Sequence, residues 1–121
     1  MLARRNRFHG LHSLDSVYRR GKTIRGPYCL IRYAHHPTRT DYRAAVVVSK
    51  KVNKSAVVRN RIRRRIYAIV RQQPIAPGTD LIITVFDEIV ATVAPEQLQQ
   101  SLSRQLGKLP AAPKRPDGIV K

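Results

Sequence analysis

The sequence holds one cysteine, no tryptophan and only seven acidic residues among 121. Each scarcity excludes something. Cys29 alone can form no disulfide within the chain, so a reduced, cytoplasmic setting is expected. Metal-dependent hydrolysis by the protein would need clustered carboxylates, and five of the seven acids lie beyond residue 79. His9 and His12, and the adjacent His35 and His36, have no Cys or Glu at ligand spacing, so no zinc site is expected. There is no Walker A loop and no defensible Ser/His/Asp arrangement. The opening MLARRNRFHGLH lacks the apolar segment of a signal peptide. No apolar run approaches the ~20 residues that span a bilayer, and with no Trp and few Phe a membrane-surface role has little support.

What the chain has in quantity is positive charge: 24 Lys and Arg, net +17. The charge is segregated. Residues 1–79 hold 19 basic residues against Asp15 and Asp41, and none of the 38 residues between Asp41 and Asp80 is acidic. Beyond residue 79, five basic residues meet five acids. Such a footprint implies a polyanionic partner, because self-repulsion of this size otherwise opposes compaction. With 42% hydrophobic residues, a chain of this length can still bury one core.

Periodicity gives the order α-β-β-α-β-α. Residues 1–10 read as a basic arm. LHSLDSVYRRG (11–21) places Leu11, Leu14, Val17 and Tyr18 on one helical face, with Ser13 as expected N-cap and Gly21 as stop. YCLIRYAHH (28–36) and YRAAVVVSKK (42–51) read as two strands of a hairpin, with a further strand possible from the former. DLIITVF (80–86) reads as a strand buried on both faces. VAPEQLQQSLSRQLGKL (93–109) carries leucines at helical spacing, with Pro95 and Glu96 suited to its first turn. Residues 110–121 read as a flexible tail, leaving 11–109 as one domain.

The segment VVRNRIRRR (57–65) packs five arginines into nine residues. Within 52–73, Val58, Ile62, Ile66, Ile69 and Val70 recur on one face of about 120°. Ser55 or Asn53 would cap the helix, and Pro74 and Pro77 would end it. The arginines flank the apolar stripe and cover its back, with Asn60 and Tyr67 central to the polar face. Lys50, Lys51 and Lys54 lead into it. Arginine suits bidentate phosphate contact, and a rigid array loses less entropy on binding than a tail. The partner is therefore a nucleic acid. A preceding sheet, rather than a preceding helix, weighs against helix-turn-helix binding to DNA. Five of seven aromatics fall in residues 1–42, near the expected strands, where tyrosines serve either base stacking or ordinary sheet packing.

VVVSKKVNKSA (46–56) followed by VVRNRIRRRI (57–66) resembles the signature of the bacterial ribonuclease P protein subunit. RNRF (5–8), VYRRG (17–21) and TDLIITVF (79–86) extend the resemblance over roughly residues 4–109. It implies an α+β fold: a small α/β sandwich with about four strands and three helices, similar to a ribosomal-protein domain. The basic helix would ride on a βαβ crossover, left-handed in that family. It also implies a non-catalytic protein subunit of an endoribonuclease that removes the 5′ leader of precursor tRNA. Chemistry would belong to the RNA subunit, which would hold the Mg²⁺, with no cofactor bound by the protein alone. RNA contacts would fall to Lys50, Lys51, Lys54, Arg59, Asn60, Arg61, Arg63, Arg64 and Arg65, and the leader to a cleft with Leu14, Tyr18 and Tyr28. Partners would be ribonuclease P RNA and precursor tRNA, with no membrane and no protein partner required. Three positions depart from the family pattern: Leu14 where Phe is common, Ala45 where Gly is common, and Asp87-Glu88 where an Arg is common. A ribosomal or ribosome-assembly protein is the alternative.

Overall fold

The most apolar strand-length stretch of the sequence, TDLIITV, occupies an inner position of a four-stranded sheet. The computed structural model describes residues 2–8, 11–36 and 38–110. The strands β1 (Lys22–Arg25), β2 (Cys29–His35), β3 (Arg43–Val47) and β4 (Thr79–Val85) lie in the order β1-β2-β4-β3. Three helices, α1 (Leu11–Arg20), α2 (Ala56–Val70) and α3 (Pro95–Leu106), cover the sheet. This is the expected α+β sandwich, and β3-α2-β4 is the expected βαβ unit, with β3 and β4 paired in parallel.

The expected hairpin of 28–36 with 42–51 does not form. β2 and β3 are separated by β4, which pairs antiparallel with β2 and parallel with β3. Leu81, Ile82 and Ile83 of β4 are all fully buried. A strand apolar on both faces gains most from a central place, and that gain outweighs sequence proximity. The real hairpin joins β1 to β2, with Gly26 N donating to Cys29 O across the turn. The fourth strand thus comes from 22–25, ahead of the segment expected to supply it.

The two faces of the sheet differ. Cys29, Ile31, Ala44, Val46, Leu81, Ile83 and Val85 face α2 and α3, which contribute Ile62, Ile66, Ile69, Val70, Leu98, Leu102 and Leu106 to one core. On the opposite face the register sets Arg32 and Ala45 beside Ile82. There α1 covers part of the sheet, and Val17 and Ile82 are both fully buried outside the main core. The helix α1 begins at Leu11, where its apolar stripe begins, so Ser13 is a helical residue and not the cap. Gly21 ends it: its N–H bonds Val17 O at 2.7 Å, and a Cβ there would stand 2.3 Å from that oxygen.

The segment expected as a basic arm makes specific contacts. Leu2 lies in the main core, Asn6 Nδ2 donates to Tyr42 O at 2.9 Å, and Arg5 stands 3.8 Å from Asp41. The expected tail from 111 onward lies outside the described residues. No helix among the described residues is long and apolar enough to cross a membrane.

Candidate nucleic-acid interface

The frame of α2 is set at its first turn. Ser55 caps it, accepting from Val58 N, while Asn53 Oδ1 accepts from Ser55 N. Ile62, Ile66, Ile69 and Val70 are buried against the sheet, so the helix cannot rotate without exposing them. No acid lies in its first turn, and the unopposed N-terminal dipole adds to the local positive potential.

Five expected contact residues, Lys50, Lys51, Lys54, Arg61 and Arg64, are exposed and make no ion pair among the described residues. The others are held locally. Arg59 Nη1 donates to Asn53 O (3.0 Å) and Lys54 O (2.9 Å), bracing the turn before the helix. Arg63 Nη1 donates to Asn60 Oδ1 at 2.7 Å on the helix surface. Arg65 turns away from the array. Its Nη1 donates to Val90 O at 2.6 Å and its Nη2 to Val93 O, holding the 3₁₀ turn Glu88–Ala91 against α2.

Tyr67 also departs from its expected place on the polar face. It is half-buried, and its hydroxyl accepts from Val46 N at 3.0 Å. β3 is an edge strand with outward N–H groups, and a tyrosine supplies both apolar body and acceptor there.

Asp87 and Glu88 both have structural partners. Asp87 Oδ1 accepts from Ile89 N, capping the 3₁₀ turn, and Glu88 Oε1 accepts from Asn53 Nδ2. Together with Arg65 they tie the turn to both ends of the basic segment.

A second set of groups lies on the α1 side of the sheet. Tyr18 is 48% exposed, and the Arg32 guanidinium sits 5.2 Å from its ring centroid. Leu14, four residues earlier on α1, is half-buried. Phe86 is 42% exposed with Arg25 over its ring at 4.9 Å. Strand alternation puts Leu30, Thr84 and Phe86 on this face, opposite Cys29 and Val85. Tyr28 is not brought to Tyr18. It stands at the β1–β2 turn, packs against the main core and accepts at its hydroxyl from Gln97 Nε2 of α3. Arg32 and Phe86 were missed in the sequence; alternation through CLIRYAH, with Cys29 and Ile31 as core, was the signal for Arg32.

Neither reactive-looking group is placed for chemistry. Asp80 is fully buried and accepts from Arg39 Nη2 and, bidentately, from Arg43 at 3.0 and 2.9 Å, with His36 Nε2 3.2 Å away. Desolvation, then the Arg39 charge, holds His36 below the usual histidine range. Burial pushes the Cys29 thiol up to about 12, so it is no nucleophile at neutral pH.

The sequence and the fold both have parallels among known proteins. The Ribonuclease P family model matches residues 2–110. The ribonuclease P protein component of Pseudanabaena sp. (strain PCC 6903) is 34% identical over 116 residues, covering 94% of this chain and 96% of that protein. That of Azoarcus sp. (strain BH72) is 34% identical over 106 residues, covering 84% and 87%. The fold is similar to that of the RNase P protein from Thermotoga maritima, with a TM-score of 0.75 at 18% identity over 87% of this chain and 98% of that one. The Staphylococcus aureus RNase P protein gives a TM-score of 0.73 at 21% identity, over 84% and 93%.

Proposed function

The chain belongs to the ribonuclease P protein family, and from that premise we propose that it binds ribonuclease P RNA through the α2 side of the molecule and the single-stranded 5′ leader of precursor tRNA through the α1 side of the sheet. As the protein component of this endoribonuclease, it is one part of a ribonucleoprotein. Charge and a basic helix would also suit a ribosomal or ribosome-assembly protein, but the family match over residues 2–110 favours the ribonuclease P reading.

The observation that carries the proposal is the exposed cationic set Lys50, Lys51, Lys54, Arg61 and Arg64, which makes no ion pair among the described residues. Burial of α2 fixes where Arg61 and Arg64 project, and the turn that carries the three lysines is braced by Arg59, so less ordering entropy is lost on contact. Each phosphate they neutralise releases condensed counterions. On the other face, Tyr18 offers a ring and Arg32 a planar cation 5.2 Å from it. Stacking of this kind tolerates any base, which suits a leader of varied sequence. The protein's share of the reaction is then binding and charge neutralisation. The Mg²⁺ ions are assigned to the RNA partner, where the protein lowers the concentration needed to fold it and to hold the substrate.

Reconstitution tests this. The chain with ribonuclease P RNA should remove the leader at a Mg²⁺ concentration where RNA alone is inactive, and the chain alone should leave precursor tRNA uncut. Cleavage by RNA-free protein, abolished by a single acid-to-amide substitution, would refute the assignment of chemistry to the RNA.

A further inference from the structure

Gln105 of α3 is buried, and its amide is bonded on both sides of the β1–β2 turn. Nε2 donates to Ile24 O (2.7 Å) and Cys29 O (3.0 Å), while Oε1 accepts from Cys29 Sγ at 3.4 Å. Gly26 in the turn lies directly on this amide: a Cβ there would stand 2.2 Å from Oε1. The turn is therefore fastened to α3, and the space between them has fixed walls.

That space is a groove of about 370 Å³. Arg25, Tyr28, Gln97, Gln100, Arg104 and Lys108 line it, and no acidic residue among the described ones does. Arg104 and Lys108 are exposed and make no ion pair among the described residues. They belong to the part of the chain whose charges balance overall, yet Asp80, Asp87 and Glu88 are bound elsewhere, and Glu96, in the first turn of α3, neither lines the groove nor pairs with either cation. Arg25 links the groove to the other face. It lines the groove, and its guanidinium lies 4.9 Å from the ring centroid of Phe86, which belongs to the α1 side of the sheet.

We propose that the groove between the β1–β2 turn and α3 binds the phosphate backbone of single-stranded RNA, as a continuation of the leader site around the tip of the hairpin. A strand leaving Tyr18 and Arg32 past Phe86 meets Arg25, then the amides of Gln97 and Gln100, then Arg104 and Lys108. Amide donors and cations without acids match phosphate and sugar oxygens. The groove thus takes leader nucleotides farther from the cleavage point than those on the α1 side. The proposal rests on the leader reading given above.

The test compares precursor tRNAs with leaders of about 4 and about 16 nucleotides, the span of site sizes of single OB folds. Binding to the reconstituted holoenzyme is measured with the full chain and with the R104Q/K108Q variant. The wild type should bind the longer leader more tightly. The variant should lose that advantage, bind the short leader and ribonuclease P RNA as before, and show a salt slope on the long leader lower by about 0.7 for each lost contact. A long-leader advantage that survives the substitutions overturns the proposal. So does an equal loss on both leaders or on the RNA subunit, which would place these cations on another partner. A wild type indifferent to leader length removes the groove site alone, whereas one that fails to bind ribonuclease P RNA removes the functional reading itself.

Discussion

Arg65 Nη1 donates to the carbonyl of Val90 at 2.6 Å, which moves this arginine from the cationic array into the frame that holds the array in place. Its neighbour Arg64 is exposed. Two adjacent arginines of one motif therefore do different work. Arg65→Ala should lower stability by about 1.5–3 kcal/mol, the range for hydrogen bonds to charged groups. It should leave the salt slope of RNA binding close to wild type. Arg61→Ala with Arg64→Ala should do the reverse: unchanged urea midpoint, and a slope shallower by about 0.7–0.9 per lost phosphate contact. Urea unfolding and salt titration on the same variants separate the two roles; a flattened slope for Arg65→Ala would return it to the RNA-binding set.

Tyr67→Phe isolates one hydrogen bond. The substitution keeps the ring but leaves Val46 N without its acceptor. A stability loss of about 1–3 kcal/mol is expected, with hydrogen exchange at Val46 faster than in the wild type. Unaltered exchange there would show that the hydroxyl is not the partner that protects β3.

The Asp80 cluster sets a pH dependence. His36 is held below its ordinary value of 6.5, chiefly by desolvation. Its unfolded form therefore takes up a proton at higher pH than its folded form. Its contribution to stability is fully present above pH 6.5 and is lost as pH falls through the folded value. The pH profile of His36→Gln should be flatter in that window. Asp80→Asn leaves Arg39 and Arg43 without their buried counter-charge and should cost about 3–5 kcal/mol. A loss below 1 kcal/mol would mean that solvent already screens the cluster.

Tyr18→Ala should weaken precursor tRNA binding by the stacking of one base, about 1–3 kcal/mol, while mature tRNA and ribonuclease P RNA bind as before. Equal weakening of precursor and mature tRNA would take the leader off this face.

What was legible in the sequence was whatever a local period could write. The stripe from Val58 to Val70 placed α2, and the apolar run through Ile82 and Ile83 placed β4 as a doubly buried strand. Pairing was not legible, because Val46 meets Ile83 across 37 residues while the nearer strand looks equally suitable. β1 was lost for a different reason: KTIR is short, charged and mostly exposed, so only its pairing with β2 makes it a strand. The basic helix also hid a distinction that a helical wheel cannot draw. Arg65 and Arg61 look alike as letters, and only the carbonyls of Val90 and Val93 separate them. The resemblance groups Tyr28 with Leu14 and Tyr18 in one cleft, whereas its hydroxyl bonds Gln97 of α3.

The inner position of β4 also constrains the order of events during synthesis. β3 emerges from the ribosome before β4, the strand it pairs with, which begins at Thr79. The arginines of α2 are translated before the strand that completes the surface beneath their helix. Until residues 79–85 are made, the nascent chain can close no more than the β1–β2 ribbon, and such a two-stranded ribbon is marginal in water. The hairpin's own fastening, Gln105, comes later still. The polycation therefore spends most of its translation without the sheet that fixes its geometry, and it becomes a shaped surface only when the last third of the chain, the part without net charge, has been added.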